Sequence, residues 1–208
     1  MATASPWPLI HAEREALAED LSSLHDAQWQ APSLCEGWSV RDVLGHMTAT
    51  ARMTPARFLT GLAGAGFRFN AMTARDISRE TARTPSEQLA EFRALIPATT
   101  SPPGPVEAML GEAIIHSEDI RRPLGITRDY PQEAVIRVAD FSKGSNLLIG
   151  SKKRIAGVEL RASDAQWATG SGPEVSGPAL SLVLAMTGRA AALNDLSGDG
   201  LETLRSRF

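Results

Sequence analysis

The chain has 208 residues, with 21 Lys or Arg against 24 Asp or Glu and a formal net charge of −3. That length accommodates one large domain or two small ones with real cores, and basic residues scattered without a stripe argue against a nucleic-acid partner. The single cysteine, Cys35, rules out an internal disulfide framework, and no basic leader or apolar run of membrane-spanning length is present, so the expectation is a cytoplasmic protein in a reducing compartment with no membrane partner.

From Pro8 to Leu24, Ile10, Leu17, Leu21 and Leu24 recur at helical spacing, with Glu13, Arg14, Glu19 and Asp20 assigned to the solvated side. A turn through 29–37 follows. Ser39-Val40-Arg41-Asp42 then resembles a capping box and opens a second helix through Val43, Leu44 and Met47. Gly61-Leu62-Ala63-Gly64-Ala65-Gly66 lacks a Walker lysine and a preceding strand, so it reads as a flexible connection. Helical patterns occupy 70–82 and 86–96, the latter with a Leu89, Phe92, Ile96 stripe. Prolines 102, 103 and 105 break the chain before a helix whose buried stripe is Val106, Met109, Leu110, Ala113 and Ile120, ending at Pro123. Residues 1–128 therefore predict a helical bundle.

Beyond residue 129 the character changes. A Pro131-led helix carries Val135, Val138 and Phe141. Residues 155–161 alternate as a strand, 165–169 offer a hairpin partner across Ser163-Asp164, an apolar helix runs from Ser176 to Gly188, and a short helix follows Gly200. The predicted fold class is α+β, a helical bundle over 1–128 followed by a small α/β domain over 129–208.

Four histidines are available. His11 and His25 sit among polar neighbours and read as surface residues, whereas His46 and His116 project from apolar helical faces. Glu112 lies four residues before His116, so both point the same way one turn apart. Inward polar groups are costly without a partner. One account is ordinary hydrogen bonding in the core. The other is a divalent ion on His46, Glu112 and His116, whose open fourth position is the catalytic zinc pattern, although the same ligands suit ferrous iron. Asp119, three residues past His116, reads either as a group that orients a ligand or as an ion-pair partner of Arg121 or Arg122. Cys35 reads as a small packed residue, and Trp29, Trp38 and Trp167 as core or interface anchors rather than ligand-stacking groups.

Leu34-Cys35-Glu36-Gly37-Trp38-Ser39-Val40-Arg41-Asp42-Val43-Leu44-Gly45-His46 resembles the second-helix signature of the mycothiol-dependent maleylpyruvate isomerase family, and Glu112-Ala113-Ile114-Ile115-His116 running into 119–125 resembles its later metal helix. The tail from Ala162 to Arg189 is similar to that family's C-terminal domain. The resemblance implies a DinB-like, metal-binding four-helix bundle with a small sterol-carrier-like α/β domain. It implies zinc or another divalent ion on His46, Glu112 and His116, and mycothiol or a related thiol as cosubstrate. The implied activity is addition of the thiol to a small electrophile, as an isomerase or an S-transferase. It also implies a substrate-binding arginine in the second domain, for which Arg189 is the candidate. Two other classes stay open on the residues: a non-enzymatic metal- or ligand-binding protein with an apolar groove along 181–186, and a metal-dependent hydrolase.

Overall fold

The computed structural model describes residues 4–146 and 149–208, which form two compact units, Met1–Thr127 and Arg128–Phe208. The first consists of α1 (Trp7–Leu21), α2 (Asp26–Trp29), α3 (Val40–Ala51), α4 (Pro55–Gly64), α5 (Phe69–Glu80), α6 (Pro85–Ala94) and α7 (Glu107–Leu124). α1 packs on α7 and α6, and α3 packs on the same two helices, so these four close a bundle, while α4 and α5 add an outer pair against α3. Leu17 and Leu21 of α1, Val43, Leu44 and Met47 of α3, Leu89 and Phe92 of α6, and Ile120 of α7 fill the shared core with Trp29 and Val40. Each such side chain contributes roughly 1.5–3 kcal/mol by leaving water.

Local chemistry sets the ends of the helices. Ser39 caps α3: its hydroxyl accepts from Asp42 N, and the Asp42 carboxylate accepts in return from Ser39 N at 2.9 Å. Replacing Ser39 by Ala is expected to cost about 1 kcal/mol, read as a lowered denaturation midpoint at unchanged slope. α7 runs one residue past Pro123 and is closed by Gly125 in the left-handed region at φ 69°. The glycine run expected as a loose connection is in part helical, since α4 extends to Gly64. Pro55 follows the Thr54 cap, whose side chain accepts from Arg57 N, and this start signal outweighs the weak propensity of two glycines. The turn expected over 29–37 is preceded by the extra helical turn of α2.

Burial on α1 differs from the expected partition. Arg14 is 2% exposed and Glu13 1%. Arg14 stands four residues after Ile10 and three before Leu17, so it lies within the apolar stripe itself.

The second unit comprises α8 (Gln132–Lys143), α9 (Ser151–Arg154), β1 (Glu159–Ala162), β2 (Ala168–Gly170), β3 (Glu174–Gly177), α10 (Ala179–Met186), a 3-10 turn at Ala190–Asp195 and α11 (Leu201–Arg205). The sheet order is β2-β1-β3. β1 pairs antiparallel with β2, Leu160 opposite Thr169, and parallel with β3, Leu160 opposite Val175. The expected strand over 155–161 begins later, at Glu159, and β3 joins from a stretch that the hydrophobic pattern had not marked. α10 lies on α8 and the sheet. Its Leu182, Val183, Leu184 and Met186 are each 0% exposed, so this apolar run is core of the second unit rather than the lining of a groove. No helix among the described residues is long and apolar enough to cross a membrane.

Candidate functional site

α3 and α7 bring His46 and His116 together. Their imidazoles meet edge to face with centroids 4.9 Å apart, and the Trp38 indole lies 5.3 Å from the His46 ring and 6.4 Å from the His116 ring. Trp38 thus forms a wall of this site as well as packing on the core.

The loop that carries Trp38 is docked by a consequence of Pro123. A proline has no N–H, so the Asp119 carbonyl lacks the usual donor four residues on. The Leu34 N–H fills that place at 3.0 Å. Ser33 folds the loop back on itself, its hydroxyl donating to the Trp38 carbonyl at 2.8 Å and accepting from Cys35 N at 3.1 Å.

Asp119, whose side chain is 0% exposed, accepts from His116 Nδ1 at 2.8 Å and from the Cys35 thiol at 3.0 Å, both on Oδ2. An ionised carboxylate can only accept, so Nδ1 carries a proton, and in the neutral ring Nε2 of His116 keeps its lone pair. Cys35 Sγ lies 3.8 Å from the same Nδ1, so this cysteine is more than a packing residue. The neighbouring arginines are engaged elsewhere: Arg121 Nε donates to Asp20 at 2.7 Å, and Arg122 Nε to Glu118 at 3.0 Å.

Glu112 sits one turn before His116. The residue as a whole keeps some exposure, but its Oε1 is sealed from solvent and has no hydrogen-bond partner. Burial pushes the carboxyl up to about 8, against the opposing pull of the Arg14 guanidinium and of the nearby Thr50 hydroxyl. Burial holds Arg14 below the usual guanidinium range, although the Glu112 charge raises it. Arg14 Nη1 donates to the Ala98 carbonyl at 3.1 Å, while its Nη2 is buried without a partner. Arg14 and Thr50 are the site's neighbours that the hydrophobic pattern assigns no role. For Arg14 the signal is its place in the α1 stripe.

Among the described residues, the group of three metal-ligating side chains whose donor atoms lie within 4.8 Å of one another is Cys35, His116 and Asp119, and His46 and Glu112 stand outside it. Within that close group the thiol and the imidazole N–H both donate to one carboxylate oxygen, so its members satisfy each other. The orphaned oxygen belongs to Glu112. Two imidazoles on one zinc, with bonds of about 2.0–2.1 Å, bring their centroids to about 5 Å, the separation that the rings of His46 and His116 have. The imidazoles of His46 and His116 and the carboxylate of Glu112 are donor types that a divalent cation accepts, although among the described residues the trio with donor atoms within 4.8 Å of one another is the Cys35 group.

Arg189 lies in the second unit at the turn after α10, half-buried, with Nη1 donating to the Thr187 carbonyl at 2.8 Å. Its charge adds to burial in holding the Arg154 guanidinium below its ordinary range. His25 is exposed at the start of α2. His11 is more embedded than expected, its Nε2 3.3 Å from the Ala98 carbonyl and its ring 6.0 Å from that of Trp7.

A helical bundle that gathers histidines and a carboxylate on two facing helices is the general class defined by this fold and site. Residues 10–108 match the family model described as the mycothiol maleylpyruvate isomerase N-terminal domain. The matched span includes His46 and stops short of Glu112. Two solved structures resemble the chain along its length. One is the mycothiol-dependent maleylpyruvate isomerase, with 15% identity and a TM-score of 0.65. The other is a histidine-to-alanine mutant of the mycothiol-dependent maleylpyruvate isomerase, with 16% identity and a TM-score of 0.64. Each alignment covers 93% of this chain and 91% of the other, so the α+β fold is shared from end to end. Comparison with curated proteins gave no match.

Proposed function

We propose that this chain is an enzyme of the thiol-dependent isomerase type, using mycothiol or a closely related thiol on a small electrophile of the maleylpyruvate kind. We further propose that a divalent cation, zinc foremost, is held by His46, Glu112 and His116. The observation that carries the reading is the sealed and unpartnered Oε1 of Glu112 one turn from His116, whose other ring nitrogen is committed to Asp119. The family match over 10–108 and the end-to-end fold similarity support the choice of reaction.

Bound to these three groups, the cation would supply a positive charge that lowers the pKa of a thiol brought to it, so that thiolate is available at neutral pH. The protein's own residues hold and orient these groups. Asp119 fixes the tautomer and orientation of His116 through Nδ1. Cys35, donating to the same oxygen, and the Leu34 N–H on the Asp119 carbonyl hold that carboxylate in place. The Trp38 indole shields the two imidazoles on one side, which lowers the local dielectric. An added thiol leaves from the same carbon after rotation about the former double bond, so isomerisation consumes no thiol, whereas a transferase would retain it in the product. Arg189 is the proposed partner for a substrate carboxylate, supported by its half-buried place beside Arg154.

Titrating mycothiol into the zinc-loaded protein is expected to release a proton and to stabilise the fold by about 2.7 kcal/mol when thiol stands at a hundred times its Kd. Catalytic thiol should then isomerise maleylpyruvate without being used up. Stoichiometric loss of thiol would instead mark the transferase, and no response to any thiol would return the protein to the metal-binding class without thiol chemistry.

A further inference from the structure

α3, α4 and α5 enclose a cleft of about 440 Å³ whose wall carries five arginines: Arg52, Arg57, Arg75, Arg79 and Arg83. That volume lies in the range of small-molecule sites. Two carboxylates, Asp76 and Glu80, share the lining, which leaves a surplus of three positive charges in a chain whose net charge is −3.

The ion pairs divide these guanidiniums into two groups. Glu80, 2% exposed, anchors Arg83 at 2.8 Å and approaches Arg52 at 3.7 Å, and Arg52 also reaches Glu91 at 2.8 Å. Asp76 takes Arg79 at 3.1 Å. Arg57 and Arg75 have only carbonyl partners among the described residues: Arg57 Nη1 donates to Arg52 O at 3.2 Å and Arg75 Nη2 to Gly61 O at 3.4 Å. Arg52 Nε is buried with no hydrogen-bond partner. Even counting Glu91, two charges remain uncompensated.

The glycines of α4 have a part in this. A Cβ at Gly61 would lie 3.2 Å from Met72 Sδ and 3.6 Å from Arg75 Nη2, and one at Gly64 would lie 3.4 Å from Arg75 Nη1. At those distances a Cβ would press on Met72 and only touch the Arg75 guanidinium, which lies against α4 with its Nη2 donating to Gly61 O. The Gly61 carbonyl thus accepts from an arginine that lines the cleft.

We propose that this cleft binds a small organic anion carrying at least two negative charges on phosphate or carboxylate groups, with Arg57 and Arg75 as its principal partners. Guanidiniums present paired N–H donors matched to the oxygens of either group. Binding at this cleft requires neither the proposed metal nor a thiol.

Calorimetric titration at constant ionic strength tests it, with pyrophosphate and succinate as separate probes to tell phosphate from carboxylate. Saturable one-site binding of at least one probe is expected. Arg57→Ala should weaken it about tenfold, and the Arg57→Ala/Arg75→Ala pair further still. Arg205→Ala, an exposed arginine in the second unit, removes the same charge and should leave affinity unchanged. His46→Ala should leave it unchanged too, which separates this site from the proposed metal centre. Circular dichroism checks that each variant is folded. Absence of saturable binding to both probes in the wild type, or equal weakening in Arg205→Ala, overturns the proposal.

Discussion

Alanine at His46, Glu112 or His116 is expected to leave the purified protein without zinc, where the wild type is expected to hold about one ion per chain. Each variant removes one of the three proposed protein ligands, which would leave a four-coordinate ion two side chains and otherwise solvent. Asp119→Asn is expected to act less severely. It keeps an acceptor oxygen near His116 Nδ1 but removes the charge that sets the tautomer, at a cost of about 10–100-fold in metal affinity. Metal analysis after dialysis against a weak chelator reads both effects directly and does not depend on finding the substrate. A wild type without metal, or a His46→Ala variant with the same zinc content, would sink the assignment. Retention of zinc only where Cys35 and Asp119 are intact would move the ion to the close Cys35, His116, Asp119 group instead.

The parts of the fold that were legible in the sequence are those where a local rule and the packing agree. Ser39 and Asp42 cap α3 as their spacing predicts, and the α7 stripe of Met109, Leu110, Ala113 and Ile120 is buried. His46 and His116 come together because both occupy inward faces of bundle helices, which periodicity can see. Other features depend on contacts between segments that periodicity does not describe. Pro123 was legible as a helix stop, but its structural effect is to free the Asp119 carbonyl for Leu34, which docks Cys35 and Trp38 beside the histidines. Arg14 was placed on the wet side by its charge, and spacing alone would have placed it in the stripe. Its burial is intelligible once Glu112 is found beside it. β3 was missed because Glu174, Val175, Ser176 and Gly177 offer a single apolar residue, and their pairing is a parallel one with a strand fifteen residues earlier in the chain.

Glu112 also fixes how stability should depend on pH. Its carboxyl is pushed up to about 8 in the folded protein against an ordinary value of 4.5, so between these two the folded state holds a proton that the unfolded chain has released. The fold binding more protons means that stability of the metal-free protein falls as pH rises through this window, by up to about 1.4 kcal/mol per pH unit from this group, and is flat in Glu112 outside it. Zinc on the proposed ligands would reverse the sense. A ligating carboxylate must be ionised, so metal affinity rises with pH towards 8 and binding below that pH releases a proton. Glu112→Gln cannot titrate. The difference between the wild-type and Gln curves of metal-free stability against pH therefore isolates this carboxyl from every other group, and it should slope across the window and level off on both sides. Parallel curves for the two proteins would mean that Glu112 is ionised in the folded state at neutral pH. The Arg14 guanidinium would then already compensate its charge, and the orphaned oxygen would no longer argue for a cation.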